Sequence, residues 1–431
     1  MRWSVLLVLT ACASASHDAP GGDDVADDAG VVDGDSVTDD GSVIPPDADP
    51  RRGWVDLGSP PGATSGDVSS PRIAMWNGAP VIAYSADKFV HVLAYENDST
   101  WVPVGTPLRH SADANAVTYD PTPAVGADGL AVVWPEWSAG AMTSAVRRVS
   151  NGSWIAPPGA ATLGTAGAYS FVPHSTAAID ADGSMWIAYA ETTDINAPMR
   201  IFVVSLLGTN VYQRGQSISA TNTNSGALAP TIAIGGGAQF MAWTENGVRV
   251  AKRNATTGAW DAFGGSPLTV AGRPASSQAN PTMTVDAQGR PIVMFTSSNG
   301  TENGIYVARW SGTAWTYWGE MVQATPGTVG GQSTHPYPQS IVVGGPDLVY
   351  ITWTEMDASA QEGVYVYRCT PGGCSAVGRG RLEAMTGATP GSWPSLAVDG
   401  AGRPIVSWVE DDASASGKAR VWRYHGDPDM P

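Results

Sequence analysis

Carboxylate side chains recur along the sequence at a fixed distance from an aromatic residue. The repeated glutamates, each two positions after a tryptophan or tyrosine, are Glu136, Glu191, Glu245, Glu355 and Glu410. Because side chains alternate between the two faces of an extended strand, each glutamate shares a face with its aromatic neighbour. Such a set could bind cations or sugar hydroxyls, or each glutamate could accept bonds from backbone N–H groups of a neighbouring entry loop. Repetition favours the architectural interpretation, because binding sites tend to break a repeat.

Irregular residues near the same strand ends are better candidates for ligand contact. They are Trp137, His174, His335, Tyr337 and Trp393. Aromatic rings at the opening of a channel or pocket are typical of carbohydrate stacking. The structural alternative for each of them is packing between repeats. Together with the five glutamates, these residues form the predicted binding face.

Motifs of known catalytic chemistry are absent from the sequence. It contains no Gly-x-Ser-x-Gly elbow, no His-Glu-x-x-His zinc motif and no phosphate-binding loop. The segment Asp180–Gly183 lacks the further acidic residues that a calcium loop needs, which favours a simple turn. We therefore assign no catalytic residue and expect neither a metal nor a cofactor.

A repeat positions all of these side chains. Its marker aromatic recurs at spacings of 50 to 58 residues, as Tyr84, Trp134, Tyr189, Trp243, Phe295, Trp353 and Trp408. The copies begin at Pro71, Pro123, Pro173, Pro230, Pro281, Pro338 and Pro394. A period of this length predicts a solenoid or a propeller, in which each copy is one supersecondary unit.

Each copy divides into four short strands. A proline opens the first strand, and a turn such as Asp286–Gly289 leads into a second strand that is almost wholly apolar. The third strand alternates, and tryptophan opens the fourth, as in Trp310-Ser-Gly-Thr-Ala-Trp315. Arginines that recur in the third strands are expected to pair with neighbouring strands: Arg148, Arg253, Arg309, Arg368 and Arg423.

The pattern predicts an all-β fold, a seven-bladed β-propeller of four-stranded antiparallel blades over residues 51–431. The last copy, residues 392–426, lacks a fourth strand that begins with tryptophan. A matching segment, Gly53–Gly58, stands before the first copy. We predict that this N-terminal strand completes the last blade and closes the ring.

The blade pattern resembles that of two propeller families. The Trp-x-Gly-x-x-Trp turn is similar to that of fucose-binding lectins, but Ile292 and Val307 stand where those lectins carry a sugar-binding Arg and Glu. The Gly and Trp of the same turns also resemble the Asp boxes of sialidases, without the Asp. Sialidases use three arginines on a carboxylate, and Arg72 in Pro-Arg-Ile-Ala is similar to the first of them. Both resemblances imply a fold rather than a function.

The N-terminal residues indicate export. Residues 1–11 form a signal peptide with a short apolar run, and Leu9-Thr10-Ala11-Cys12 resembles a bacterial lipobox, which makes Cys12 the lipidated residue. The alternative is ordinary cleavage near Ala13 or Ala15. Residues 13–50 contain eleven aspartates and no Lys or Arg, so residues 12–50 are predicted to form a disordered acidic tether.

The charge of the sequence argues against nucleic-acid binding, and its cysteines predict a disulfide. Without the eleven tether aspartates, the formal charge of −17 falls to −6, and no basic patch suggests nucleic-acid binding. Cys369 and Cys374 enclose Thr-Pro-Gly-Gly, and a turn in an oxidising compartment predicts a hairpin disulfide.

The predicted lipid anchor, the acidic tether and the absence of catalytic motifs from the sequence favour a surface-displayed, non-enzymatic binding module for a glycan or protein. We expect a monomer in the bacterial cell envelope, held at the outer membrane through the lipid on Cys12. The alternatives are a sialidase-like or other glycan-cleaving enzyme and a structural envelope protein.

Overall fold

The repeats fold into seven antiparallel sheets arranged in a ring, which confirms the predicted seven-bladed β-propeller. The computed structural model describes residues 53–61, 68–127, 129–138, 140–157, 162–163, 175–192, 197–207, 211–214, 226–298, 303–323, 340–356, 362–382, 392–411 and 417–426. The chain divides into two units, residues 1–48 and 49–431, and all described residues belong to the second. Within them, no helix has the length and apolar character needed to cross a membrane.

The strands are numbered in chain order, and β1 is Trp54–Asp56. Blade 1 contains β2 Ser69–Trp76, β3 Ala79–Ala86, β4 Phe89–Glu96 and β5 Thr100–Pro103. Blade 2 contains β6 Val117–Thr118, β7 Thr122–Gly126, β8 Gly129–Ser138, β9 Ala141–Ser150, β10 Ser153–Ile155 and β11 Thr162–Leu163. Blade 3 contains β12 Thr176–Ile179, β13 Met185–Glu191, β14 Arg200–Leu207 and β15 Val211–Arg214.

Blade 4 contains β16 Leu228–Gly235, β17 Ala238–Thr244, β18 Val248–Arg253 and β19 Trp260–Ala262, and a short 3₁₀ helix, Ala275–Ser277, follows it. Blade 5 contains β20 Gln278–Val285, β21 Pro291–Ser298, β22 Asn303–Trp310 and β23 Trp315–Val322. Blade 6 contains β24 Ser340–Gly345, β25 Leu348–Met356, β26 Glu362–Thr370 and β27 Gly373–Leu382. Blade 7 contains β28 Ser395–Val398, β29 Pro404–Asp411 and β30 Gly417–Tyr424.

Apolar side chains form one cluster at each of the seven contacts between neighbouring blades. Between blades 7 and 1, for example, Ile405 and Val421 pack with Ile82 and Tyr84. Burying one large aliphatic side chain contributes about 1.5–3 kcal/mol. The stability of the ring therefore lies between the sheets, and it fixes the relative positions of the strands that carry the candidate site.

The N-terminal strand closes the ring as predicted. β1 pairs antiparallel with β30, and Trp54 lies opposite Tyr424. The amide of Leu57 donates to the carbonyl of Val421 at 2.9 Å, which extends this pairing. Blade 7 therefore takes its outermost strand from the other end of the propeller sequence.

Tryptophans of the outermost strands join blades 7, 1 and 2 each to the blade before it. The indole of Trp54 in blade 7 donates to the carbonyl of Val377 in blade 6 at 3.2 Å. The indole of Trp101 in blade 1 donates to Leu57 O beside β1 at 3.0 Å. Trp154 of blade 2 makes the same kind of bond to the segment that follows β5, at 2.6 Å. In these three blades the tryptophan donates its N–H to a carbonyl of the preceding blade, whereas the indole of Trp315 in blade 5 has no partner among the described residues.

Ion pairs join blades on the face opposite the blade-to-blade connections. Arg309 of blade 5 pairs with Asp347 of blade 6, and Arg423 of blade 7 reaches Asp98 of blade 1 at 3.0 Å. The strand register corrects one assignment, because Lys252 holds the position of these arginines in blade 4. Arg253, which the sequence pattern placed there, is one residue further along the strand.

The strand register also corrects the start of blade 2. Thr122 pairs with Val133 as Arg72 pairs with Ala83, so Pro121 is the counterpart of Pro71. Pro123, predicted to open this blade, lies inside β7. Two prolines separated by one residue give the sequence two equally good starting points, and only the strand pairing distinguishes them.

Cys369 and Cys374 form the predicted disulfide, across the turn between β26 and β27. We predict that replacing both cysteines by serine lowers the free energy of unfolding by about 2 kcal/mol, since the bond closes a loop with a sequence separation of only five residues. Urea denaturation of the variant beside the wild type with and without reductant measures this. An unchanged midpoint in both comparisons would contradict it.

Candidate functional site

The five repeated glutamates are buried inside the blades. Each retains at most 5% of its surface exposed. In blades 2, 4 and 6 the carboxylate accepts the indole N–H of the tryptophan two residues earlier, at 3.0, 3.1 and 2.9 Å. The pairs are Trp134–Glu136, Trp243–Glu245 and Trp353–Glu355. This geometry agrees with the architectural interpretation, but the common partner is the strand's own tryptophan rather than a loop.

Glu136 accepts hydrogen bonds from three donors. Besides the indole of Trp134, it accepts the backbone amides of His110 and Ser111, at 2.8 and 2.5 Å. These two residues belong to the connection between blades 1 and 2. Glu136 therefore fixes that connection above its strand, while Glu410 instead accepts the Nε of Arg420 at 3.0 Å.

We predict that Glu136→Leu lowers the free energy of unfolding by about 3 kcal/mol or more, because it leaves buried donors without an acceptor. Glu136→Gln keeps one acceptor oxygen and serves as the matched control, with a loss of about 1 kcal/mol. Urea unfolding measured by tryptophan fluorescence separates the two variants. A leucine variant as stable as the wild type would contradict this structural role and make Glu136 a candidate for ligand binding again.

The irregular residues of the predicted binding face differ in their exposure and packing. Trp137 is 37% exposed at the end of β8, and its role as a ligand contact stays a prediction. Trp393 is half-buried and packs on the cluster between blades 7 and 1, which is the structural alternative for it. His174, His335 and Tyr337 lie outside the described residues, and so does Cys12.

A second exposed aromatic residue stands beside Trp137. Tyr119 is 38% exposed, and its amide donates to Pro135 O at 2.9 Å. Val117 pairs with Trp137, so the alternation of the strands places the side chains of Tyr119 and Trp137 on one face of blade 2. Ser138, next to Trp137, hydrogen-bonds the hydroxyl of Ser111 at 2.8 Å. The edge of blade 2 thus offers two rings and nearby hydroxyls.

At one position of the strand register, the innermost strands of six blades carry a hydroxyl residue, and that of blade 1 carries an arginine. We call these seven positions the inner ring; its members are Arg72, Thr122, Thr176, Thr231, Thr282, Ser340 and Ser395. Some of these hydroxyl groups form a hydrogen bond with a backbone carbonyl or amide of the next blade. Thr122 donates to Ser175 O at 2.8 Å, and Ser395 accepts the amide of Ile73 at 3.2 Å. A hydroxyl therefore suits this position for architectural reasons.

Arg72 breaks the inner ring. It is half-buried, and its Nε is buried without a hydrogen-bond partner among the described residues. Burial lowers the pKa of Arg72 to about 10, although the charge of Asp120 opposes the shift. The guanidinium therefore stays charged at neutral pH, at a site where the equivalent residues of the other blades carry only a hydroxyl.

Asp120 faces Arg72 from blade 2. It is the residue before Pro121, and its φ of 34° lies in the left-handed region. Ser70, Ala229, Asn280 and Trp393 precede the entry prolines of their own blades with positive φ as well. With this interruption of the strand, the carboxylate of Asp120 lies close enough to Arg72 for its charge to act on the pKa of the guanidinium. Ser70 donates its hydroxyl to Asp120, so the entry residues of blades 1 and 2 are joined.

Burial raises the pKa of Asp120, while the hydroxyl of Ser70 and the charge of Arg72 partly oppose the shift. A buried carboxyl of this kind takes up a proton more readily than an exposed one. We call Ser70, Arg72 and Asp120, with Tyr119 and Trp137, the channel-mouth site. Among the described residues, no three His, Cys, Asp or Glu side chains are grouped as metal ligands.

Sequence reasoning noticed Arg72 only through its context and did not notice Asp120. The signal for Arg72 was available: once the seven copies are aligned, six have serine or threonine where blade 1 has arginine. Asp120 was missed because the sequence pattern placed the start of blade 2 at Pro123 rather than at Pro121. Its side chain reaches the site only because of the positive φ, which no periodicity reveals.

No protein-family model matches the sequence, and no curated protein matches it. Solved structures do share the fold. The polysaccharide lyase Uly1 is similar over 85% of this chain and 91% of its own, with 10% identity and a TM-score of 0.51. This likeness concerns the fold alone, and it places the chain in the class of seven-bladed propellers.

Two further structures have lower TM-scores. A Trypanosoma rangeli sialidase covers 86% of this chain at 10% identity and a TM-score of 0.48, and this chain spans 58% of its length. A Penicillium chrysogenum α-L-arabinanase covers 73% of this chain at 13% identity, with 97% of its own length and a TM-score of 0.42.

Proposed function

We propose that the channel-mouth site recognises the carboxylate of an acidic glycan. The observation that carries this proposal is the charged Arg72 in a ring of hydroxyl residues, with a buried Nε that has no described hydrogen-bond partner. Arginine presents a planar fork of donors that matches a carboxylate. A buried cation of this kind strengthens such a pair, because few waters compete for it.

The exposed rings supply the rest of a sugar site. Tyr119 is adjacent to Asp120 in the chain, and Trp137 shares its face of blade 2. Flat aromatic surfaces stack on the apolar faces of sugar rings. An acidic oligosaccharide could thus contact the cation with one sugar and the aromatic rings with the next.

Glycan cleavage is the second candidate function. The raised pKa of Asp120 favours it, because a carboxyl that takes up a proton more readily than an exposed one is better suited to act as a general acid. The polysaccharide lyase with the same fold makes a polysaccharide a reasonable substrate to try. Binding is the leading proposal, because the cation of Arg72 and the exposed rings are features of ligand recognition.

A binding and turnover assay tests both candidates. Purified protein is titrated with a uronate-containing oligosaccharide, with the same oligosaccharide after reduction of its carboxylates, and with a neutral one. We expect binding of the first alone, and mass spectrometry of the mixtures reports any cleavage. Equal affinity for the native and reduced forms would contradict carboxylate recognition.

We predict that affinity for the acidic oligosaccharide rises as the pH is lowered from 7, before the ligand itself takes up protons. Because burial raises the pKa of Asp120, its carboxylate takes up a proton before the sugar carboxylate does. A neutral Asp120 no longer repels the ligand or competes for Arg72. Affinity should fall again below about pH 4, where the ligand itself is protonated.

Asp120→Asn should bind with the higher affinity throughout this range, because it fixes the neutral state. Asp261→Asn, in the outermost strand of blade 4, is the matched control and should keep the wild-type pH dependence. Calorimetric titration at several pH values makes the comparison. A pH profile unchanged by Asp120→Asn would remove this residue from the site.

We further propose that the propeller is displayed on the cell envelope through a lipid on Cys12, on the strength of the lipobox alone. Labelled palmitate should be incorporated into the expressed protein and not into its Cys12→Ser variant. We also propose that the protein is a monomer, and light scattering measures its oligomeric state.

A further inference from the structure

Blade 4 has an exposed apolar residue at the strand position that Tyr119 holds in blade 2. This position, which we call the mouth position, lies three residues before the inner ring, opposite the residue that follows the marker aromatic. Its described members are Ser69, Tyr119, Leu228, Ala279 and Ser392. Blades 1, 5 and 7 therefore have serine or alanine at the mouth position, whereas blades 2 and 4 have a large side chain.

The backbone holds Leu228 in the same way as Tyr119. Each precedes a residue with positive φ, 34° at Asp120 and 49° at Ala229, and each is itself 38% exposed. A small residue occupies the mouth position in three other blades, so the strand pairing does not require a large one. The size of Leu228 is therefore not explained by the architecture of the blade.

Exposed apolar side chains are concentrated on the channel-mouth face. Among the described residues six large apolar side chains are exposed, and three of them, Tyr119, Trp137 and Leu228, lie on this face. The other three lie on the outermost strands of blades 7, 1 and 2. A grouping of exposed apolar residues on one face indicates contact with a ligand or partner.

Hydrogen bonds join the innermost strands of blades 2, 3 and 4 in series. Thr122 donates its hydroxyl to Ser175 O at 2.8 Å, and Thr176 donates its hydroxyl to Pro230 O at 3.3 Å. Because packed sheets lie about 10 Å apart, two blade steps separate the mouth positions of blades 2 and 4 by at most about 20 Å. Several linked sugars span such a distance, whereas a single sugar does not.

We propose that Leu228 is a second contact for the acidic glycan, which makes the ligand an oligosaccharide chain rather than a single acidic sugar. This inference rests on the proposed function: one sugar places its carboxylate on Arg72, and the apolar face of a more distant sugar covers Leu228. Blade 2, with Tyr119 and Trp137, lies between these two contacts in the ring. The oligosaccharide therefore follows the channel mouth from blade 1 to blade 4.

Calorimetric titration of the full chain with galacturonate di-, tetra- and hexasaccharides tests the proposal. We expect the hexasaccharide to bind more tightly than the disaccharide. Leu228→Ser gives blade 4 the small residue of blades 1 and 7, and it should weaken binding of the hexasaccharide about fivefold, because the exposed part of the leucine is no longer covered. Binding of the disaccharide, which reaches Arg72 alone, should not change.

Leu228→Trp provides a second test, since a larger flat surface should strengthen binding of the hexasaccharide and leave the disaccharide unaffected. Val102→Ser is the matched control: it removes an exposed aliphatic side chain from the outermost strand of blade 1 and should bind every ligand as the wild type does. Thermal unfolding verifies that each variant is folded. If no oligosaccharide binds, the proposed function fails together with this inference.

Other results would overturn the inference alone. Equal affinity of the wild type for all three chain lengths would show that one acidic sugar makes the whole contact. Equal losses for the disaccharide and the hexasaccharide in Leu228→Ser would show that Leu228 acts on the fold of the site rather than on a distant sugar. A hexasaccharide affinity unchanged in both Leu228 variants would remove this residue from the binding surface.

Discussion

Arg72→Thr is expected to leave the propeller folded and to weaken binding of an acidic glycan at least 100-fold. Threonine is the residue that the inner ring has in four other blades, so the substitution restores the repeat. It removes a buried cation and supplies a hydroxyl of the kind that bonds the next blade elsewhere in the ring. Stability should stay the same or increase, while the proposed ligand loses its main contact.

Calorimetric titration with a uronate oligosaccharide and thermal unfolding measure the two effects separately. Arg72→Lys keeps the charge but not the planar fork, and we expect it to retain part of the affinity. Thr282→Val is the matched control, since it alters the inner ring in blade 5 and should bind as the wild type does. A threonine variant with undiminished affinity would show that Arg72 does not contact the ligand.

Deletion of residues 51–60 is expected to abolish the cooperative unfolding transition of the whole propeller. The deleted segment contains Trp54 and Leu57, which are 6% and 7% exposed. Loss of two such buried side chains costs about 5 to 10 kcal/mol, which is most of the stability of a typical domain. The contacts of blade 7 with both blade 6 and blade 1 would be weakened together.

Deletion of residues 13–50 is the matched control, because it shortens the chain by more residues and leaves β1 in place. We expect its melting temperature to equal that of the full chain. Circular dichroism and tryptophan fluorescence follow both variants, and a synthetic peptide of residues 51–60 should restore part of the transition. If the first deletion melted like the second, closure by β1 would contribute nothing to stability.

The fold was predictable because every blade repeats the same physical requirements. A buried second strand needs a continuous apolar run, and an outermost strand that packs on the previous blade needs a tryptophan. The missing tryptophan strand of the last copy then identified β1 as its replacement, and the pairing of Trp54 with Tyr424 confirms it. These signals are local in sequence, so periodicity alone reveals them.

The candidate site was less predictable because it depends on departures from the repeat. The glutamates attracted attention by their regularity, yet Glu136 and Glu355 are bonded within their own blades. Arg72 and Asp120 are 48 residues apart and meet only through the contact between two blades. An interruption of the strand, rather than any motif, turns Asp120 toward its partner. Side-chain direction after such an interruption cannot be read from spacing.

The pairing of β1 with β30 has a consequence for biosynthesis. Trp54 leaves the ribosome or an export channel long before Tyr424 does, so the first strand to emerge is the last to find its partner. Until β30 emerges, β1 has no strand to pair with, and its backbone groups can pair with another chain. Slow, non-local closure of this kind favours a holding chaperone during synthesis. Truncated products would therefore be expected in aggregates rather than as soluble fragments.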